Sequence, residues 1–166
     1  MVKTSIRHIY ALALGSNRPL SARLTPERLL QEAVGRIAEL GTVLAVAPIM
    51  KTPPLGPSRR IFANGAVLVE SHLPPEAMLL HLQAVERGLG RQRFMRWGAR
   101  RLDIDIILWS GGRWDSRSLH IPHPTFRDRD FVLTPLCAVA PEWRDPVSGL
   151  SMRHLRFRLR KAISGG

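Results

Sequence analysis

The spacing of hydrophobic residues alternates along the chain between the period of a strand and the period of a helix. Compact apolar runs predict strands at 6–14, 42–50, 61–69, 102–109 and 119–121. Apolar residues three and four positions apart predict one helix from Thr25-Pro26 to Gly41 and another from Pro74-Pro75 to Gly90. Proline at a helix start and glycine at its end are typical boundaries.

Two segments nearer the C-terminal end have less definite periods. Residues 131–140 form an apolar packing segment, either helical or extended. Residues 153–161 alternate arginine with Leu155, Phe157 and Leu159 at period two. An edge strand, an oligomer contact and a nucleic-acid-binding accessory are all compatible with this segment, and a disordered basic tail is the simplest alternative.

The order of these elements predicts one α+β or α/β domain. Strands and helices alternate with short loops, and the chain has no internal repeat and no interdomain linker. We place the domain at residues 1–150 and a basic C-terminal tail at residues 151–166.

The composition is that of an ordinary globular protein. Hydrophobic residues make up 45% and charged residues 23% of the 166 residues, which argues against global disorder. No apolar run approaches the roughly 18 residues of a membrane span, and no signal peptide is recognised. The single cysteine, Cys137, excludes an intramolecular disulfide and a cysteine-rich zinc site. We therefore expect a cytoplasmic protein with no membrane partner.

The net charge is strongly positive and is concentrated in the second half of the chain. Of 25 basic residues 22 are arginine, and 13 acidic residues leave a net charge of +12. Residues 1–86 carry +3 and residues 87–166 carry +9. A positive field attracts nucleotides, nucleic acids and acidic surfaces, and the arginine fork matches phosphate. A GC-rich genome also raises the arginine count, but it does not explain the clustering.

Two carboxylates lie on one predicted strand. Alternation puts Asp103 and Asp105 on the same face, about 6.5–7 Å apart along the strand. Carboxylates at this spacing repel each other unless a cation lies between them, and their oxygens suit Mg²⁺ that takes further ligands from phosphates. A solvated strand face with two salt-bridged aspartates is the alternative. The opposite face is predicted to enter the core with Leu102, Ile104, Ile106 and Leu108.

Six arginines and no acidic residue separate Glu86 from Asp103. Guanidinium groups beside a metal neutralise the charge of a polyphosphate, so the pattern favours phosphoryl transfer. A solvated basic loop and a nucleic-acid contact with Trp97 as a stacking platform are the alternatives. The chain has no P-loop, protein-kinase or dinucleotide motif. The cluster comprises Arg87, Arg91, Arg93, Arg96, Arg100 and Arg101.

A proline-rich loop and the strand after it carry groups suited to a flat heterocycle. The loop Thr52-Pro53-Pro54-Leu55-Gly56 holds backbone groups in fixed directions, and Asn64 offers paired donors and acceptors. His123, between two prolines, is a candidate contact for phosphate or ribose. Singly, each feature is also typical of an ordinary turn or core. Rings that could sandwich a heterocycle are those of Phe62, Trp97 and Phe131.

Several segments match the motifs of one known family in the same order along the chain. They are Leu14-Gly15-Ser16-Asn17, Thr52-Pro53-Pro54-Leu55-Gly56-Pro57, Phe62-Ala63-Asn64, Glu86 with Gly90-Arg91, the run from Arg96 to Ile107, Ile121-Pro122-His123-Pro124 and Arg129-Asp130-Phe131-Val132-Leu133. Over roughly residues 6–146 the chain thereby resembles the 6-hydroxymethyl-7,8-dihydropterin pyrophosphokinases of folate biosynthesis.

The resemblance implies transfer of the β,γ-pyrophosphoryl group of ATP to the pterin hydroxymethyl oxygen, with AMP as the other product. It implies an α+β fold, a ferredoxin-like antiparallel sheet flanked by helices. It also implies that Asp103 and Asp105 bind two Mg²⁺ that bridge the ATP phosphates. Arg91 and Arg100 would stabilise charge on the transferring group.

The resemblance further implies a set of contacts to each substrate, and we expect the protein to be a monomer. Residues implied to bind the pterin are Thr52, Pro53, Leu55, Phe62, Asn64 and Phe131. Residues implied to hold ATP or close over it are Gln83, Glu86, Arg93, Arg96, Trp97, Ile106, His120, His123 and Arg129.

The chain also departs from the family pattern. The loop from Arg93 to Arg96 looks one residue shorter than in well-known members, and Ser118 stands where a basic residue is often found. One alternative function is a nucleic-acid-binding module that uses the positive field and the basic tail. Another is a relative that acts on a related pterin of a different pathway.

Overall fold

The computed structural model describes residues 5–16, 25–52, 62–90 and 102–166. The elements in chain order are β1 (His8–Ser16), α1 (Pro26–Ile37), β2 (Thr42–Val46), β3 (Met50–Thr52), β4 (Phe62–Ser71), α2 (Pro75–Gly90), β5 (Asp103–Trp109), β6 (Trp114–Asp115), β7 (His120–Ile121), α3 (Asp130–Val139) and α4 (Met152–Ser164). A short 3-10 helix, Phe126–Asp128, precedes α3.

The main sheet is antiparallel throughout, with β1 and β4 at its centre. β1 pairs with β4 on one side and β5 on the other, and β4 also pairs with both β2 and β3. The predicted strand 42–50 is thus two strands, interrupted near Pro48, which has no amide hydrogen to donate to a ladder. β6 and β7 form a separate two-stranded hairpin.

Helices cover both faces of this sheet. α1 and α2 pack on one face around a core that includes Leu12, Leu14 and Leu29. α3 and α4 pack on the other face around Ala11, Phe126 and Leu136. The α+β, ferredoxin-like arrangement of a sheet flanked by helices is therefore confirmed.

The predicted start of α1 is confirmed in detail. The Thr25 hydroxyl accepts a hydrogen bond from the Arg28 backbone amide at 3.2 Å, and Pro26 opens the helix. The apolar stripe of α1 then faces the sheet, with Leu29, Leu30, Ala33 and Ile37 almost fully buried. Within the described residues, no helix has the length and apolar character needed to cross a membrane.

The alternation predicted for β5 holds for most of the strand and then breaks. Leu102, Ile104 and Ile106 are at most 3% exposed and lie in the core under α1 and α2. The register against β1 shifts between Ala11 and Leu12, which is a bulge in β5. Leu108 is therefore buried in the opposite core, beneath α3 and α4, rather than with the other three.

The C-terminal segment is a helix, so the edge strand considered for its period-two pattern and the disordered tail are both wrong. The Ser151 hydroxyl caps α4 by accepting from the His154 amide at 3.2 Å. Leu155 is 8% exposed, whereas Phe157, two residues later, is 67% exposed. Alternating residues fall on opposite sides of a helix, and the capping serine and helix-favouring arginines override the period-two pattern.

Candidate active site

A cavity of about 460 Å³ opens over the sheet face that carries α3. It lies where β1 ends, β4 begins and β5 begins, because β1 runs antiparallel to both of its neighbours. Its lining residues are Ala13, Leu14, Gly15, Ser16, Thr52, Phe62, Asn64, Asp103, Asp105, Arg129, Phe131 and Val132.

The acidic pair of β5 forms one wall of this cavity. Asp103 is exposed and the Asp105 side chain is 46% exposed, while Ile104 between them is buried. Their neighbours across the ladder in β1 are Gly15 and Ala13. The prediction that the two carboxylates share one accessible face is confirmed, and the small residues of β1 keep that face open.

The two carboxylates fit Mg²⁺ as a donor set. Both present hard oxygen atoms, the ligands that this ion prefers. Within residues 5–16, 25–52, 62–90 and 102–166, no group of three or more His, Cys, Asp or Glu side chains is placed to hold an ion. A metal at Asp103 and Asp105 would therefore take its other ligands from water and substrate phosphates, as Mg²⁺ commonly does.

Glu86 connects the end of α2 to the strand that carries the acidic pair. Its Oε1 accepts a hydrogen bond from the Ile104 backbone amide at 2.9 Å. Ile104 lies between Asp103 and Asp105 and pairs with Leu14 of β1, while its backbone amide, bonded to Glu86, points away from β1. The sequence predicted Glu86 as an ATP contact, and the structure shows that its carboxylate also holds the edge of β5.

The opposite wall carries the groups predicted to bind a flat ring. Asn64 is 8% exposed, and its Nδ2 donates to Thr52 Oγ1 at 3.4 Å. Phe62 lies two residues before Asn64 on β4, so both project to the cavity face. Phe131 is 43% exposed, and the Arg129 guanidinium lies 5.8 Å from its ring centre.

His123 adjoins the acidic pair. Its Nε2 lies 3.9 Å from Asp105 Oδ2, and its backbone amide donates to the Ile107 carbonyl at 3.1 Å. Burial and the Arg129 charge lower the pKa of this imidazole, and the Asp105 charge opposes them only in part. The neutral ring is thus favoured in the absence of ligands.

Other predicted residues lie away from the cavity or outside the described ranges. Gln83 is half-buried on α2, exposed His120 pairs with Asp115, and Ile106 is 3% exposed in the core. None of these three side chains lines the cavity in the described part of the chain. The predicted residues that lie outside the described ranges are Pro53, Leu55, Arg91, Arg93, Arg96, Trp97 and Arg100.

Sequence reasoning assigned no binding or catalytic role to five residues of the cavity: Ala13, Leu14, Gly15, Ser16 and Val132. Gly15 lies opposite Asn64 on one side and Asp103 on the other, and a glycine inside an apolar strand signals a close approach. Val132 is 6% exposed on α3 beside Phe131. No sequence signal separates Val132 from an ordinary core residue.

Comparison with known proteins gives consistent matches. The family profile of 7,8-dihydro-6-hydroxymethylpterin-pyrophosphokinase (HPPK) matches residues 11–141. A 2-amino-4-hydroxy-6-hydroxymethyldihydropteridine pyrophosphokinase of Pseudomonas aeruginosa is 38% identical over 144 residues, which cover 85% of each chain. One of the same name from Synechocystis is 36% identical over 132 residues, 76% of this chain and 68% of that protein.

Solved structures agree at the level of the fold. A crystal structure of Plasmodium falciparum HPPK-DHPS superposes with a TM-score of 0.78 at 14% identity and covers 98% of this chain. The chain spans 46% of that longer protein. Because the identity is low, this likeness concerns the fold alone.

Proposed function

The chain belongs to the 7,8-dihydro-6-hydroxymethylpterin pyrophosphokinase family, and on that premise we propose that its cavity catalyses the family's reaction in folate biosynthesis. The reaction transfers the β,γ-pyrophosphoryl group of ATP to 6-hydroxymethyl-7,8-dihydropterin. A bond forms between the hydroxymethyl oxygen and the β-phosphorus, the bond from that phosphorus to the α,β-bridging oxygen breaks, and AMP leaves. The hydroxyl proton passes to solvent.

One observation carries this proposal. Two carboxylates and a pair of aromatic side chains line the same cavity of about 460 Å³. Phosphoryl transfer needs anchoring for metal-bound phosphates and a fixed position for the acceptor hydroxyl. Asp103 and Asp105 lie on the β5 side of this cavity, and Phe62, Asn64 and Phe131 lie on the β4 and α3 side. An acceptor ring held at the wall with Phe62, Asn64 and Phe131 would be close enough to present its hydroxymethyl group to phosphates held at the acidic wall.

At the acidic wall, Asp103 and Asp105 would hold two Mg²⁺. Held there, the ions would supply positive charge to offset the negative charge that develops on the transferring group. Glu86 contributes indirectly by fixing the Ile104 amide between the two carboxylates.

At the ring wall, Asn64 and Thr52 would read the polar edge of the pterin. Asn64 has its remaining amide donor and its carbonyl oxygen for this purpose, and its contact with the Thr52 hydroxyl fixes the side chain. Phe62 and Phe131 would stack on the ring faces. The family resemblance also implies that Pro53 and Leu55 contact the pterin.

The nucleotide would lie along the outer edge of β5. The Ile104 amide points outward to Glu86, and antiparallel alternation turns the backbone groups of Ile106 to the same side. The buried Ile106 would thus contact ATP through its backbone. His123 and Arg129 lie beside the acidic wall, where they would face the phosphates. The other side chains that we propose to contact ATP or the transferring group are Gln83, Arg91, Arg93, Arg96, Trp97, Arg100 and His120.

A turnover assay tests the proposal. The full chain is incubated with MgATP, with and without the pterin, and AMP is measured by chromatography. We expect AMP only when the pterin is present. We further propose a monomeric enzyme of the cytoplasm, which sedimentation and cell fractionation would check.

Isosteric variants test the acidic wall in the same assay. Asp103→Asn and Asp105→Asn should each lower kcat/KM by roughly a thousandfold, because several kcal/mol of charge stabilisation are lost. Glu32→Gln, on the exposed surface of α1, is the matched control and should leave kcat/KM unchanged. AMP that forms equally without the pterin would refute the substrate assignment. Turnover only with a pterin that bears a longer side chain would favour the alternative pathway.

A further inference from the structure

A continuous chain of hydrogen bonds links α4 to the first turn of α3. Arg156 Nε donates to Thr134 Oγ1 at 3.1 Å, and Thr134 Oγ1 donates to Asp130 Oδ1 at 3.0 Å. Arg160 Nε reaches the same Oδ1 from the other side at 3.4 Å. Two arginines one helical turn apart on α4 thus converge on Asp130.

Apolar packing supports the same contact between the helices. Met152 and Leu155 of α4 are at most 8% exposed and share a core with Leu133 and Leu136 of α3. The residues that the sequence assigns to a C-terminal tail therefore pack against α3, the helix that forms part of the cavity wall. α4 holds α3 by its apolar face and by two of its arginines.

The first turn of α3 is the part of that helix that reaches the cavity. Arg129, Phe131 and Val132 line the cavity on either side of Asp130. Pro135 lies inside α3 and has no amide hydrogen, so the Phe131 carbonyl loses its usual helical partner four residues later. This turn is therefore less able to hold its own geometry than an ordinary helix start.

We propose that α4 braces the ring wall of the cavity, and that Asp130, Thr134, Arg156 and Arg160 are positioning residues for Phe131. These four residues do not touch the pterin. They act by fixing the turn that presents the Phe131 ring, which reduces the ordering that pterin binding would otherwise require. The role in pterin binding rests on the proposed function, whereas the bracing of α3 does not.

A matched pair of substitutions at Thr134 tests the brace. Thr134→Val keeps the shape and β-branching of the side chain but removes the hydroxyl that joins Arg156 to Asp130. Thr134→Ser keeps the hydroxyl. Arg160→Gln removes the charge of the second arginine that contacts Asp130, at a side chain that is 53% exposed. The pterin dissociation constant, KM for ATP, kcat and Tm are measured for each variant.

We expect Thr134→Val to weaken pterin binding about threefold to tenfold, as the loss of one or two hydrogen bonds would. KM for ATP, kcat and Tm should stay close to wild type, and Thr134→Ser should bind the pterin normally. Arg160→Gln should weaken pterin binding in the same direction but less. Unchanged pterin affinity in Thr134→Val would overturn the proposal. A general fall of Tm and of every kinetic parameter would overturn it too, since it would show a structural role only.

Amide hydrogen exchange in the free protein separates the brace from the proposed function. Thr134→Val should speed exchange at the amides of Val132 and Leu133, which donate to the Arg129 carbonyl at 3.0 Å. Exchange in α2 should stay unchanged, and Thr134→Ser should match wild type. If wild type does not bind the pterin, the proposed function fails, while faster exchange would still support the brace. Equal exchange in all three proteins would overturn it.

Discussion

At the scale of single residues, the smallest side chains matter most to the shape of the cavity. Gly15 faces Asn64 on β4 and Asp103 on β5, and Ala13 faces Asp105. A β-carbon built on Gly15 would lie 3.4 Å from Asn64 Oδ1. The cavity floor between the wall that carries Asn64 and the acidic wall is therefore formed without a side chain at this position.

Gly15→Ala should weaken pterin binding more than it weakens the fold. The added methyl group takes up floor space and comes into contact with the Asn64 amide oxygen, so we expect KM for the pterin to rise about tenfold, a change of about 1.4 kcal/mol. KM for ATP should change little. Steady-state kinetics with each substrate varied in turn would measure both constants.

Gly35→Ala on α1 is the control for this substitution, because a β-carbon there meets nothing within 4 Å. It should leave both KM values unchanged and stabilise the helix by about 0.5–1 kcal/mol. An equal rise of both KM values in Gly15→Ala would contradict a local effect on the pterin.

At the scale of secondary-structure elements, α4 shows how a repeating pattern can mislead. Leu155, Phe157 and Leu159 would share one face of a strand, but in the helix Leu155 and Leu159 lie one turn apart. The Ser151 cap at the helix start and the packing of this segment on α3 both favour the helix. Three arginines of α4 bond to groups on or just after α3, which accounts for part of the basic character of the tail: Arg153 with Glu142, Arg156 with Thr134 and Arg160 with Asp130.

Substitutions at Leu155 and Phe157 should differ strongly in their cost. Leu155→Ala should lower the free energy of unfolding by about 2–3 kcal/mol, because it leaves a cavity in the core. Phe157→Ala, at a side chain that is 67% exposed, should change it by less than about 0.5 kcal/mol. Urea unfolding would measure both, and similar losses for the two variants would indicate an extended segment instead of α4.

At the scale of the whole molecule, a buried ion pair connects the short 3-10 helix to the turn between α3 and α4. Asp145, in the turn between α3 and α4, is 0% exposed, and Arg127 of the short 3-10 helix binds both of its oxygens at 2.6 and 2.8 Å. Burial alone would raise the pKa of Asp145. Hydrogen bonds from Arg127, Ser148 and the Val147 amide outweigh burial and hold it well below its usual range.

This ion pair predicts a pH-dependent stability. A carboxyl whose pKa falls on folding contributes stability above its unfolded pKa of about 3.9 and loses it as the pH falls further. Asp145→Asn should therefore cost about 2–3 kcal/mol at pH 7, and the difference from wild type should shrink below about pH 4. Thermal unfolding across pH 3–7 would measure it.

Glu142→Gln provides the control at an exposed ion pair, since the Glu142 side chain is 70% exposed. It should change stability by less than about 1 kcal/mol at every pH. A constant gap between wild type and Asp145→Asn down to pH 3 would show that the charge of Asp145 is not the cause.

Local patterns in the sequence were sufficient to predict much of this protein. The alternation in β5 predicts that Asp103 and Asp105 share a face, and Thr25-Pro26 predicts the start of α1. Ordered motifs predict the family and the fold. Each of these follows from interactions between residues close in sequence, or from motifs that lie in a fixed order along the chain.

Only the tertiary structure decided what depends on residues distant in the chain. The bulge that turns Leu108 to the opposite core lies in the pairing of β5 with β1, and the packing of α4 on α3 decides which side of α4 is buried. The open floor at Gly15 exists because two other strands bring Asn64 and Asp103 to either side of it. Each of these features depends on two segments at once, and the hydrophobic period of one segment does not identify the segment that packs against it.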